Sequence, residues 1–255
     1  DNKLAKTLPA ASEGSVYDLH FDKEMGRWKN WLKMNDVDTS PVNEKTEFLD
    51  IIVTTIDTVR YRYLFDLLVD HGKSVLFAGP TGTGKTVYIQ AALDAKDKAK
   101  CRAIMSTFSA QTNANAVQDI IDSKLDKRRK GVFGPPIGAR AVVFVDDLNM
   151  PSLEEYGAQP PIELVRQFFD HGGWYDRNEL NMKQLVDVQF AAAMGPPGGG
   201  RNPITPRLVR HFNLVSVCDF DDTSLSRVYG QIADWWCRRA GLPSDISGKT
   251  PNLVK

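Results

Sequence analysis

Residues 79–86 read Gly-Pro-Thr-Gly-Thr-Gly-Lys-Thr. A glycine, four residues and then Gly-Lys-Thr is the spacing of a phosphate-binding loop. Gly79, Gly82 and Gly84 let the backbone curl until several N–H groups face one anion, with Pro80, Thr81 and Thr83 completing the curl. A helix starting near Lys85 adds its positive end at the same place. The Lys85 ammonium suits the β- and γ-phosphates of a nucleotide. The Thr86 hydroxyl offers Mg²⁺ a hard oxygen. A Gly-rich turn can match this pattern by chance, but here the flanks match too. Residues 74–78 form an apolar run into the loop, and residues 87–93 are amphipathic after it.

Phosphate binding alone leaves the reaction open. A Mg²⁺ water shell needs a carboxylate at the end of a buried strand. Val142-Val143-Phe144-Val145-Asp146-Asp147 provides one. Asp146 is the expected Mg²⁺ partner. Asp147 stands where a hydrolytic site carries the group that polarises the attacking water. The plainer reading is two exposed acids at a strand end, which an apolar run beside such a loop argues against. Hydrolysis also calls for positive charge at the γ-phosphate in the transition state. Arg207 and Arg210, in Pro206-Arg207-Leu208-Val209-Arg210, are the candidates. They act either in cis or on a neighbour's nucleotide in trans. The bland alternative makes them surface arginines at a helix end.

These groups need strands and helices to hold them. Residues 55–71 have helical apolar spacing at Ile56, Val59, Tyr63 and Leu67, and Gly72 ends that helix. Strands are expected at 74–79, 102–108, 141–145, 188–194 and 213–217. The continuous apolar run 141–145 predicts a strand buried on both faces. Residues 113–127 read as one helix through Val117, Ile120, Ile121 and Leu125, followed by a basic run, 127–130, expected in a solvated loop or helix end. Residues 131–136 read as a loop or hairpin arm. Pro160-Pro161 opens a helix that stops at Gly172-Gly173, and a hairpin follows from 173. A last helix covers 223–240. Strands alternating with helices predict an α/β fold with a mostly parallel five-stranded sheet flanked by helices. There is no internal repeat.

Composition excludes several classes. The chain has 255 residues, 32 basic and 32 acidic, so no global basic field points to nucleic acid. It lacks a run near the ~20 apolar residues that span a bilayer, and no secretory leader is visible. Cys101, Cys218 and Cys237 are widely spaced and read as free, small buried hydrophobes in a reducing, cytosol-continuous compartment. The chain begins at Asp1 and ends at Lys255; the expectation is a segment of something longer.

Taken together the residues resemble an AAA+ module. The resemblance is most specific to the third AAA+ module of dynein heavy chains of the axonemal type. It is carried by Asp57-Thr58-Val59-Arg60-Tyr61, by Phe144-Val145-Asp146-Asp147-Leu148-Asn149-Met150-Pro151 and by Tyr156-Gly157-Ala158-Gln159-Pro160-Pro161-Ile162-Glu163-Leu164. Gly172-Gly173-Trp174-Tyr175-Asp176 and Gly195-Pro196-Pro197-Gly198-Gly199-Gly200-Arg201-Asn202-Pro203 complete it. It covers most of the chain, roughly residues 12 to 240. It implies an AAA+ P-loop large subdomain with the start of a helical lid: a lead-in at 1–50, a core at 51–220 and a truncated lid at 221–255. It implies ATP or ADP with Mg²⁺ as ligands. Residues 51–55, notably Ile52 and Val53, become the loop that cups adenine. Arg207 or Arg210 becomes the finger presented to the preceding module.

The implied partners are neighbouring AAA+ modules of the same heavy chain, and the microtubule through the rest of the motor, without nucleic acid or membrane. The implied place is the cytoskeleton of a cilium or flagellum axoneme.

Three departures from the family pattern bear on activity. Val53-Thr54-Thr55 stands where Val-Pro-Thr is usual. Asp147 stands where glutamate is usual, about 1.5 Å shorter in reach. Met194-Gly195 stands where a polar sensor is usual. The last two weaken catalysis and spare binding. The expected function is a regulatory ATP-binding module with slow hydrolysis. The alternatives are a structural module that keeps ADP, a competent ATPase, and a small-molecule kinase, for which no acceptor site is evident.

Overall fold

The computed structural model describes residues 18–22, 25–31 and 42–242. The chain divides into two compact units, residues 62–219 and residues 1–61 with 220–255.

The larger unit is organised by a five-stranded sheet. Its strands are β3 (Val75–Ala78), β4 (Cys101–Thr107), β7 (Arg140–Asp146), β10 (Val188–Met194) and β11 (Asn213–Ser216). Their order across the sheet is β11-β3-β10-β7-β4, and all four pairings are parallel. Parallel neighbours need crossovers, which place helices on the faces and bury the central strands. Val142, Val143, Phe144 and Phe190 are accordingly sealed from solvent. Helices α3 (Ala114–Asp122) and α4 (Pro160–His171) cover one face. Val117, Ile121, Ile162 and Val165 join Val143 and Phe190 in the core there. Both helices have clear ends. The Asn113 side chain accepts from the Ala116 N–H at 2.8 Å, an N-cap. Gly172, at φ 71°, closes α4 in the left-handed conformation that glycine favours.

A second, four-stranded sheet has the order β5-β6-β9-β8, from β5 (Asp126–Arg129), β6 (Val132–Gly134), β8 (Gly173–Tyr175) and β9 (Met182–Leu185). It corrects one expectation. Helix α3 stops at Asp122, and residues 126–129, basic from Lys127 on, form a strand antiparallel to β6. Helical spacing at Leu125 misled because Leu125 is buried under the turn that leaves the helix. Tertiary pairing with residues 132–134 then overrode local propensity. Trp174 is fully buried at the base of this sheet and donates from its indole to Asp122 at 3.1 Å. Lys183 bridges Asp122 at 3.0 Å and Asp176 at 2.7 Å.

In the smaller unit, β1 (Leu19–Asp22) and β2 (Arg27–Asn30) form an antiparallel pair inside the segment expected as a lead-in. Trp31 beyond it is buried. Helix α6 (Asp222–Arg239) is capped by Asp221, whose side chain accepts from the Ser224 N–H. Trp235, Arg238 and Arg239 of this helix donate to the carbonyls of Asn43, Val42 and Thr46.

Helix α1 covers Ile56–Asp70. Its buried residues are Phe65 and Val69, not the stripe through Ile56, Val59, Tyr63 and Leu67. The cysteines carry no disulfide, but only Cys237 is buried; Cys101 is half-buried and Cys218 exposed. Among the described residues no helix is long and apolar enough to cross a membrane.

Candidate nucleotide site

Parallel alignment puts the carboxyl ends of β3, β7 and β10 on one edge of the sheet, where α/β folds bind ligands. The loop 79–84 leaves β3 there, and α2 (Lys85–Asp94) begins directly after it. Gly82 at φ 86° and Gly84 at φ 75° adopt the left-handed conformation that turns the loop's N–H groups inward. Gly84 is also the cap of α2, so the helix's free N–H groups face the same cleft. That cleft measures about 360 Å³ and is lined by Lys85, Thr86, Asp146, Asp147 and Arg201 among others.

Lys85 is buried, with a relative exposure of 9%. Its ammonium donates to the carbonyls of Gly79 at 2.8 Å and Pro80, and to the Thr83 hydroxyl at 3.2 Å. Burial pulls its pKa below the usual lysine value; Asp146 opposes this, and the charge of Arg201 adds to it. Thr86 Oγ1 donates to Asp146 Oδ2 at 2.7 Å. The two expected Mg²⁺ ligands are therefore adjacent, although one lies in the first turn of α2 and the other at the end of β7. One hydroxyl and one carboxylate fit Mg²⁺, which keeps several waters and takes its other ligands from phosphates.

Asp146 Oδ1 accepts from the Asp147 N–H at 3.0 Å. Asp147 itself sits at φ 51°, a conformation uncommon outside glycine. Strain of this kind gathers at functional positions. The Asp147 carboxylate stands 3.5 Å from the Arg201 guanidinium. Beyond it the backbone is tied to β10: Leu148 N–H donates to Ala193 at 3.0 Å, and the buried Asn149 amide donates to the Gly195 carbonyl at 2.8 Å. Gln159 and Asn202 both donate to the Pro151 carbonyl and hold the next turn.

A family model for the P-loop containing dynein motor region matches residues 40–220. The chain belongs to this dynein motor family. It is 50% identical over 235 residues to rat dynein axonemal heavy chain 12, covering 90% of this chain and 8% of that protein. Mouse dynein axonemal heavy chain 3 is 48% identical over 236 residues, covering 91% of this chain and 6% of that protein. Human dynein axonemal heavy chain 1 is 52% identical over 210 residues, covering 82% and 5%. The chain thus spans less than a tenth of the length of these relatives.

In this dynein motor region Lys85, Thr86, Asp146 and Asp147 share one cleft, whereas Arg207 and Arg210 do not line it. Arg207 is exposed on α5 (Pro206–Val209). Arg210 pairs with Asp170 at the end of α4, 2.8 Å away, and holds that carboxyl below its ordinary range, helped by Arg166. Ile52 and Val53 precede α1 in the other unit, where Ile52 is exposed. Thr55 then caps α1, with Thr58 N–H donating to its hydroxyl at 3.3 Å. Sequence reasoning missed Arg201 and Asn149 as site residues. Both lay inside runs already singled out, but nothing in the spacing showed that Arg201 returns to the cleft or that Asn149 holds the Gly195 carbonyl.

Proposed function

We infer that this chain is the third AAA+ module of an axonemal dynein heavy chain, a nucleotide-binding station with slow hydrolysis that gates coupling to the microtubule. The carrying observation is the contrast within one cleft. Lys85, Thr86 and Asp146 form a complete binding set around the loop, with Thr86 and Asp146 in contact. The carboxylate next to Asp146, Asp147, has the shorter side chain and faces Arg201.

Lys85 and the loop N–H groups would bind the phosphates. Thr86 and Asp146 would hold Mg²⁺, which when bound neutralises developing charge on them. Asp147 would orient the attacking water. A misplacement of about 1 Å at such a group costs ~10²-fold in rate, which favours slow turnover. Ile52 and Val53 would cup the adenine. Arg207, exposed and without a place in this cleft, suits presentation to a neighbouring module's site in trans better than Arg210, which Asp170 holds. Residues after Asp221 would begin the lid. The partners would be adjacent modules of one heavy chain, the microtubule through the rest of the motor, and the setting a ciliary axoneme.

Nucleotide content of the purified chain, followed by single-turnover hydrolysis, tests this reading. The expected result is exchangeable ATP or ADP with very little phosphate release. Rapid steady-state release would overturn the regulatory reading in favour of a competent ATPase. ADP that never exchanges would favour a structural ligand.

A further inference from the structure

Met194-Gly195 stands where the family resemblance implies a polar sensor, and Gly195 has no side chain to offer. The structure fills the same space from elsewhere. A Cβ at residue 195 would stand 2.6 Å from Arg201 Nε and 2.7 Å from Arg201 Cδ. Arg201 therefore lies in the volume that a side chain at 195 would occupy. A tight turn brings it back. Gly198 N–H donates to the Arg201 carbonyl at 2.9 Å, and Arg201 N–H to the Gly198 carbonyl at 3.1 Å. Gly199 and Gly200 between them both have positive φ, as this two-residue turn demands. The turn is anchored on the strand end: Asn202 N–H donates to the Asn149 carbonyl at 2.9 Å, while the Asn149 amide holds Gly195.

The guanidinium so placed has donors to spare. Its Nε is buried and has no hydrogen-bond partner among the described residues. Its contact with Asp147, at 3.5 Å, is an ion pair too long for a good hydrogen bond. It lines the phosphate cleft together with Lys85 and Thr86, and its charge is felt at Lys85. Two cations held in one cleft raise each other's energy, and an anion with several oxygens between them lowers it.

We propose that Arg201 binds the terminal phosphate of a nucleoside triphosphate and is the residue by which this site tells ATP from ADP. The proposal rests on the nucleotide reading above. Asp147 and the γ-phosphate are alternative partners of the same guanidinium, so a triphosphate draws Arg201 away from Asp147 and leaves that carboxylate to face water. With ADP, Arg201 keeps its carboxylate partner. The glycine at 195 is then part of the sensor, as the space that admits the arginine.

The test titrates the 255-residue chain, with Mg²⁺ present, against fluorescent ADP and a fluorescent non-hydrolysable ATP analogue. Arg201→Gln is expected to weaken the triphosphate roughly 10- to 100-fold, the worth of a charged hydrogen bond, and to leave ADP within about twofold. Arg201→Lys should restore part of the preference, because the charge returns without the fork. Gly195→Ala, which leaves the guanidinium intact and displaces it, should reproduce the selective loss. Retained ADP affinity shows in each variant that the cleft is folded. Equal weakening of both ligands, or of neither, overturns the inference while leaving the nucleotide site in place. Failure of the unchanged chain to bind either nucleotide overturns the nucleotide reading, and this inference with it.

Discussion

Lys85→Met separates the lysine's role in binding from its role in folding. Methionine keeps most of the stem volume and removes the ammonium. In the structure that ammonium donates three hydrogen bonds, to Gly79, Pro80 and Thr83. Each is charge-assisted, a class of bond worth ~1.5–3 kcal/mol where the charge stays solvated. Against this stands the cost of burying the charge, and burial is what lowers the Lys85 pKa overall. The surroundings thus favour the neutral amine more than water does. The loop carbonyls belong to half-exposed residues, so water can replace the lost donor. Folding stability should therefore change by only about 1 kcal/mol. Nucleotide binding should change far more. Two charge-assisted contacts with phosphate oxygens are worth about 3–6 kcal/mol, or roughly 10²- to 10⁴-fold in Kd. Calorimetric titration with ATP and a urea melt on the same preparation measure both. An affinity within about threefold of the unchanged chain would refute the role assigned to Lys85. A melt that loses as much free energy as binding does would show that the lysine acts by holding the loop together.

Two further outcomes concern the small sheet. Trp174→Ala should destabilise the chain by about 3–5 kcal/mol in urea unfolding, since it empties a fully buried site and leaves Asp122 without the indole donor; a loss under about 1 kcal/mol would mean that the sheet is not anchored there. The Asp176 carboxyl is held well below its usual 3.8 by Lys183 and by the N–H groups of Glu179 and Asn178. Its folded pKa is depressed, so its stabilisation is complete above 3.8 and is lost as pH falls below that value. Asp176→Asn should flatten the fall of thermal midpoint on acidification below that pH, and an unchanged slope would remove Asp176 from the acid response.

Much of the site was legible because its parts are local. A phosphate loop needs its glycines, lysine and threonine within a few residues of a strand end, so residues 79–86 carry the whole device. The Asp146-Asp147 pair was legible because the apolar run before it can only be a buried strand. The charged strand 126–129 was not legible, since its charges say nothing about the residues it pairs with. The lead-in hairpin was hidden for the same reason. Arg207 and Arg210 had the right chemistry, but Asp170 claims Arg210 from a helix 40 positions earlier in sequence.

The sequence by itself determined the parallel α/β sheet, the phosphate loop, the two carboxylates and the family. Those follow from residue type and short spacing, where covalent geometry fixes what can meet what. Only the tertiary structure decided which cation completes the cleft. Arg201 reaches it because a glycine turn folds the chain back and because Gly195 leaves room, and no local spacing encodes such a meeting.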